Sequence, residues 1–269
     1  MIVHVDSADD PRLAPYLAVK ERDLVRRDGR FIVEGKVTVE RLVTTSRFPV
    51  ESLFLSERRL GALKQVLWRL PPDVPVYAAP QEIMDGVAGF HLHRGVLAVA
   101  RRKEQTGCEG LLADLRDKPQ ATLLGLVGLS NHDNVGACFR NAAALGADAV
   151  LLDETSCDPL YRKAIRVSAG TALSLPFARG GNGESMAARL IADGYECWSL
   201  SPTEGERLQD LTPPTRLALL VGAEGPGLSE DLMAHTRRVS IPMANGVDSL
   251  NVATAAAIAM AHVHASRTG

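Results

Sequence analysis

Aromatic side chains are scarce in this chain: six Phe, four Tyr and two Trp among 269 residues. So thin a supply argues against recognition by extensive base stacking. An excess of one charge is missing too. Thirty Lys and Arg stand against 32 Asp and Glu, a net charge of −2, so any contact with nucleic acid must rest on local basic patches. The four cysteines (Cys108, Cys138, Cys157 and Cys197) form no CxxC pair, which argues against a zinc site and a disulfide framework and fits reduced thiols. The close histidine pairs are His91/His93 and His262/His264, without a companion cysteine or carboxylate pair, and no metal is expected. No apolar run approaches the roughly 20 residues of a membrane span. The N-terminal stretch MIVHVDSADDPRL has acidic residues and no apolar core, so a signal peptide is not expected and the location reads as cytoplasmic, with no membrane partner.

What is present is a soluble composition, 46% hydrophobic and 23% charged, long enough for one large domain or two ordinary ones. The first hundred residues read as a small α/β unit. Strands are expected at Phe31–Val33, Ser52–Leu55, Val74–Tyr77 and Gly95–Ala100, and helices from Val37 and over Glu57–Leu70, the latter stopped by Pro71-Pro72. The polar run Arg101–Gly107 suits a linker, with a short helix near Gly110–Leu115. The boundaries drawn are 1–105 for an accessory domain, 106–118 for a linker and 119–269 for a second domain. That second domain alternates strands (Thr122–Val127, Ala149–Leu152, Leu173–Phe177, Glu196–Leu200, Leu217–Val221, Val239–Ile241) with helices (Val135–Leu145, Tyr161–Ser168, Glu184–Asp193, one capped by Ser229, and Asn251–His264). Such alternation implies an α/β fold with a parallel sheet covered on both faces.

Ligands of open parallel sheets bind outside the carboxyl ends of the strands, and three loops there carry unusual chemistry. In the first, Ser130–Gly136, either Asp133 or Asn134 can cap the following helix, and Arg140 lies less than two turns beyond Asn134, so both are expected to line one mouth. The second, Gly222-Ala223-Glu224-Gly225-Pro226-Gly227-Leu228, lacks the Lys-Ser/Thr pair of a phosphate-binding loop and the glycine spacing of a dinucleotide fingerprint. It is either a tight turn needing glycine or backbone laid open to a ligand. The third runs from Ile241-Pro242-Met243 to Ser249-Leu250-Asn251 and opens a helix with six alanines in Ala253–Ala261. A plain N-cap would explain the polar residues; so small a face points to close helix contact, across a dimer interface on the sharper reading. A fourth segment, Asp158–Gly170, places Arg162, Lys163 and Arg166 on a short helix, either a solvated face or a phosphate-contacting strip.

In this order the loops resemble the SpoU family of RNA ribose 2′-O-methyltransferases, within the SPOUT class. The likeness runs through Asn134-Val135-Gly136 to Arg140, Gly222–Leu228, and Ile241-Pro242-Met243 through Ser249–Ala253. Lys163–Gly170 also looks like its family counterpart. Phe31–Gly35 and His93-Arg94-Gly95-Val96 look like the family's accessory RNA-binding domain. The resemblance implies a parallel sheet with a C-terminal deep trefoil knot, preceded by a small α/β RNA-binding domain. It implies S-adenosylmethionine in the knot and a homodimer with composite sites. The donor would be held by Gly222, Ile241, Leu250, Leu200 and Met243; the catalytic surround would be Asn134, Arg140, Glu224, Ser249 and Asn251. Some members carry asparagine where Ala223 stands, so a donor contact from that side chain is lost here.

Methyl transfer to a hydroxyl needs the nucleophile placed in line and its proton managed; placement alone supplies roughly 7–11 kcal/mol. The resemblance makes Arg140 the base, yet a guanidinium holds its proton to a pKa above about 12. We therefore read Arg140 as a clamp on phosphate and developing oxyanion, with Glu224 taking the proton or orienting Arg140. RNA contact is assigned to Arg162, Lys163 and Arg166 and to the basic clusters Lys20, Arg22, Arg26, Arg27, Arg30 and Arg101-Arg102-Lys103. Ribosomal RNA is the expected substrate. Transfer RNA, or a non-catalytic RNA-binding protein keeping the fold, are the alternatives.

Overall fold

Leu53-Phe54-Leu55 and Leu97-Ala98-Val99-Ala100 contain no polar residue, so strands built from them must be covered on both faces. The computed structural model describes residues 2–17, 29–89, 91–92, 94–103 and 107–268, and in it these runs are central strands. The chain folds as two units: Met1–Glu104 with Leu160–Ser174, and Gln105–Pro159 with Leu175–Gly269.

The first unit holds β1 (Ile2–His4), β2 (Arg30–Glu34), β3 (Val50–Ser56), β4 (Val76–Ala79) and β5 (Val96–Arg101), in the order β1-β4-β3-β5-β2. The first three of that order are parallel, and β5 runs antiparallel to β3 and β2. Helices α1 (Ala14–Leu17), α2 (Lys36–Thr44), α3 (Lys64–Leu67) and α4 (Gln81–Ala88) accompany them. Tyr16, Phe54, Met84 and Val99 share one core. The Tyr16 and Ser52 hydroxyls, 2.8 Å apart, satisfy each other inside it. Glu57–Leu70, expected as one helix, is broken into the 3-10 turns Glu57–Arg59 and Gly61–Leu63 followed by α3. Its buried residues, Leu63 and Val66, stand three apart, which suits three-residue turns. The fourth strand starts at Val76, two residues later than expected, because Pro75 has no N–H to give a ladder. Helix α4 was not anticipated, although Met84, Val87 and Ala88 form its buried face.

The second unit begins with α5 (Gly107–Asp114), which falls in the stretch expected to link two domains. Leu111, Leu112 and the following Leu115 are buried in this unit's core. Its seven strands are β6 (Ala121–Val127), β7 (Ala149–Leu152), β8 (Phe177–Arg179), β9 (Glu196–Ser201), β10 (Glu206–Arg207), β11 (Arg216–Gly222) and β12 (Arg237–Ser240). They lie in the order β10-β12-β9-β11-β6-β7-β8, every pair parallel. The third of them, β8, starts only after Pro176, and Leu173, expected to begin it, ends the 3-10 turn Thr171–Leu173. Helix α6 (His132–Ala144) follows β6. The excursion Leu160–Ser174, expected to belong with its sequence neighbours, packs with the first unit and carries α7 (Arg162–Val167). Then come α8 (Gly183–Ala192), α9 (Glu230–Ala234) and α10 (Val252–Thr268). The alanine-rich α10 lies on α6 and β11. Its Ala253, Ala256, Ala259 and Met260 are buried, and Asn141 Nδ2 donates to Ala253 O at 2.9 Å. One stripe of the small residues therefore fits the chain's own α6.

Strand order reverses where β11 sits between β9 and β6. The loops leaving β6, β9 and β11 converge at one end of the sheet, the position at which such sheets hold ligands.

Candidate functional site

Gly222 ends β11, and glycine is needed there for a reason internal to the loop. A Cβ at Gly222 would lie 2.3 Å from the carbonyl carbon of Gly227 and 2.5 Å from Leu228 N. The loop folds back on its own strand; Gly227 N donates to Ala223 O at 3.0 Å. The two readings of this segment hold together: it is a tight turn, and it walls a cavity. That cavity, about 410 Å³, is lined by Leu200, Ser201, Pro202, the 221–225 segment, Gly227, Ile241, Met243, and residues 249–252 with Ala255. Leu200, Gly222, Ile241, Met243 and Leu250, the residues the resemblance assigns to the methyl donor, all lie on it. Among the described residues no Lys or Arg does, and Glu224 is the one ionisable side chain on its wall.

Beside the cavity three side chains close a triangle: Glu224 and Asn251, which line it, and Asn134 from the first turn of α6. Asn134 Nδ2 donates to Glu224 Oε1 at 2.7 Å. Asn251 Nδ2 donates to the same oxygen at 3.0 Å and to Asn134 Oδ1 at 3.0 Å. The side-chain oxygen Oδ1 of Asn251 meanwhile accepts from the backbone N–H groups of Ala253 and Thr254 at 3.0 and 3.3 Å. It is thus both the helix cap and a site residue. Asn134 escapes that duty. The cap of α6 is Asn131, which accepts from Asp133 N at 2.9 Å; neither Asp133 nor Asn134, the expected caps, takes the role. Asn134 is buried, with its amide spent on Glu224. Ser249 lines the cavity beside Leu250 and is exposed.

The loop between β6 and α6 is pinned from below by residues the sequence did not single out. Buried Asp153, just past β7, accepts from Gly128 N at 3.0 Å and Ser156 N at 2.9 Å, and from the hydroxyls of Thr155 and Ser156. The Ser156 hydroxyl oxygen in turn accepts from Leu129 N at 3.0 Å. Burial pushes the Asp153 carboxyl up, and the Ser156, Thr155 and Gly128 hydrogen bonds outweigh it and hold it below its ordinary value. An Asp-x-x-Ser spacing at a strand end is the signal that would have found this clasp.

Arg140 stands apart from the triangle. It is exposed on α6 and is not among the cavity-lining residues, because six residues is about 600° of helical turn and aims it well away from Asn134. The RNA-assigned α7 residues fall in the other unit. There Arg162 Nη1 pairs with Glu34 Oε2 at 2.9 Å, while Lys163 and Arg166 are exposed. Of the two other basic clusters, Lys20, Arg22, Arg26 and Arg27 lie outside the described residues. Arg30 and Arg101 both pair with Glu51, which spends part of their charge.

Residues 121–261 match the model of the SpoU rRNA Methylase family. The chain belongs to that family. An uncharacterized tRNA/rRNA methyltransferase of Mycobacterium tuberculosis is 41% identical over 260 residues, covering 93% of this chain and 88% of the relative. A 23S rRNA (guanosine-2′-O-)-methyltransferase of Haemophilus ducreyi is 31% identical over 208 residues, covering 76% and 83%. In fold, the chain matches an AdoMet-bound rRNA methyltransferase from Sinorhizobium meliloti with a TM-score of 0.84 over 100% of this chain and 99% of that one, at 19% identity. The family match begins at β6 and ends within α10, so it contains all three loops of the candidate site. Among the described residues no helix is long and apolar enough to cross a membrane.

Proposed function

We propose that this SpoU methylase transfers a methyl group from S-adenosylmethionine to a ribose 2′-hydroxyl of ribosomal RNA. The observation that carries the reading is Glu224, a cavity-wall carboxylate gripped by two side-chain amides from loops far apart in sequence. The cavity suits the donor. Leu200, Val221, Ile241 and Met243 offer apolar surface, and a wall whose only ionisable group is a carboxylate favours a sulfonium cation and disfavours a phosphate ligand. Gly222, Ile241, Leu250, Leu200 and Met243 would hold the donor, which supplies an already activated methyl group.

The chain's own part is placement and proton handling. The two amides fix Glu224 through Oε1. Its Oε2, without a partner among the described residues, is left to take the proton of the ribose hydroxyl. Ser249, on the same wall, orients that hydroxyl. Arg140 clamps a substrate phosphate and the oxyanion that develops on the ribose. Since Arg140 lies off its own cavity, the reading includes a homodimer in which a second copy completes each site. Exposed Ile258 on the outer side of α10 suits such a contact, being 39% exposed. The path of the C-terminal segment is read as a deep trefoil knot. Support comes from β12 lying beyond β9 while α10 returns to α6 and β11. Residues 1–105 are read as the accessory unit that supplies most RNA affinity, with ribosomal RNA favoured by this two-unit layout and the cytoplasm as the place of action.

The test is incubation with methyl-labelled S-adenosylmethionine and total RNA, followed by alkaline hydrolysis. Label should appear in large ribosomal RNA and survive as alkali-resistant dinucleotides, because a 2′-O-methyl group blocks cleavage. Label in mononucleotides would move the chemistry to a base; label in transfer RNA would replace the substrate; no label would leave a binding protein.

A further inference from the structure

The first unit contains a second cavity, of about 360 Å³, lined by Ser56, Arg58, Arg59, Gln81, His91 and Leu92. Three features mark it as built. Ser56 is 1% exposed, and its Oγ has no hydrogen-bond partner among the described residues. An orphaned buried hydroxyl is a standing cost that alanine would remove, unless a ligand supplies the partner. Asp85 organises one wall: it accepts from Gln81 Nε2 at 2.8 Å and Leu92 N at 2.9 Å, and stands 2.6 Å from His91 Nδ1. The Gln81 amide nitrogen also donates to Leu92 O at 3.1 Å, which leaves Oε1 as an acceptor without a partner among the described residues. Gly95 keeps the space open. Its φ of +55° and the 3.1 and 3.2 Å approach of Ser56 Cβ and Gln81 Oε1 to a would-be Cβ bar a side chain there. Arg58 and Arg59, exposed on the turn after β3, add two cations.

We infer that this cavity holds one nucleotide of a single-stranded segment of the RNA substrate, its phosphate against Arg58 and Arg59 and its sugar or base edge against Ser56 Oγ and Gln81 Oε1. Single-stranded RNA offers such splayed nucleotides, and the chain has few aromatics to stack them on. The inference rests on the RNA-methylating reading above and goes beyond it in placing a substrate contact away from the methyl-transfer site.

The test uses the full chain and a short fluorescein-labelled single-stranded RNA of mixed sequence, read by anisotropy. Ser56→Ala should weaken binding roughly three- to tenfold while the Tm stays at or above that of the unsubstituted protein. Arg58→Gln should weaken it too and reduce the slope of log affinity against log salt by about 0.7. Adenosine 5′-monophosphate alone should bind at least roughly tenfold more weakly than the RNA. If it binds as tightly and both substitutions weaken it, the cavity is a free-nucleotide site and the proposal fails. A lowered Tm for Ser56→Ala would make that hydroxyl structural; Arg58→Gln then decides, and unchanged RNA affinity in that variant overturns the proposal. The two readings fail separately. Label in ribosomal RNA with normal RNA binding by both variants removes the cavity alone; weakened binding with no label in any RNA removes the enzymatic reading alone.

Discussion

Asn134 and Glu224 stand ninety positions apart in sequence, and the amide of one donates to the carboxylate of the other at 2.7 Å. Glu224→Gln keeps the size and one acceptor oxygen and removes the charge. It should lower kcat about 100-fold or more, and weaken donor binding by much less, by the loss of one carboxylate's attraction for the sulfonium. Single-turnover transfer and donor titration check both halves. Full turnover in Glu224→Gln would leave Glu224 no part in moving the proton.

Arg140 is assigned a clamp and not a base. Arg140→Ala and Arg140→Lys should both lose about 100-fold in turnover, because a lysine cannot offer two parallel N–H donors. Donor affinity should be unchanged in both. Normal turnover in Arg140→Lys would sink the assignment. In a mixture of Arg140→Ala and Glu224→Gln chains, shared sites predict recovered activity, since one of the two sites of a mixed dimer is intact.

Gly222 is constrained by crossing backbone. Gly222→Ala must push Gly227 and Leu228 away and should destabilise by about 1–3 kcal/mol, with a matching fall in Tm. Donor affinity should drop as well, because the displaced residues include Gly227 of the cavity wall. A variant with unchanged Tm and unchanged affinity would show that the loop has slack the close contacts deny.

Asp153 gives a pH signature. Its carboxyl is depressed on folding, so its contribution is fully present above the unfolded value of about 3.9 and is lost as pH falls through the lower folded value. Asp153→Asn should cost about 1–3 kcal/mol near neutrality. The Tm gap to the unsubstituted protein should close as the pH drops below about 4, where the native carboxyl also becomes uncharged. A gap constant down to pH of about 2 would assign the loss to shape instead of charge. Turnover should fall too, because the clasp holds the loop that delivers Asn134.

Much of the second unit was legible because its signals are local. Alternating apolar runs marked β6, β7, β9 and β11 within a residue or two, and glycine spacing marked the loop after β11. The choice among Asn131, Asp133 and Asn134 as cap was not legible. All three can cap, and what frees Asn134 is Glu224, supplied by a distant loop. The two-residue β10 was missed because so short a strand has no periodicity to read. The excursion Leu160–Ser174 was misplaced for a related reason: its apolar residues announce that they will be buried, not against which core. Leu160, Ala164 and Ile165 are each 0% exposed within the first unit. Deleting residues 1–105 to isolate the methylase would therefore uncover them, and point substitutions are the sounder probe of RNA binding.

That excursion has a consequence for inheritance. A module joined at one seam can be exchanged between proteins by one recombination event. Here the chain passes from one unit to the other three times, near residues 104, 160 and 174, and a graft made at the first seam alone would bring a foreign first unit to a native Leu160–Ser174. The two units must then change together, so substitutions in β2 and α2, which pack with Leu160–Ser174, should be matched by substitutions in a segment that the family pattern counts as part of the methylase.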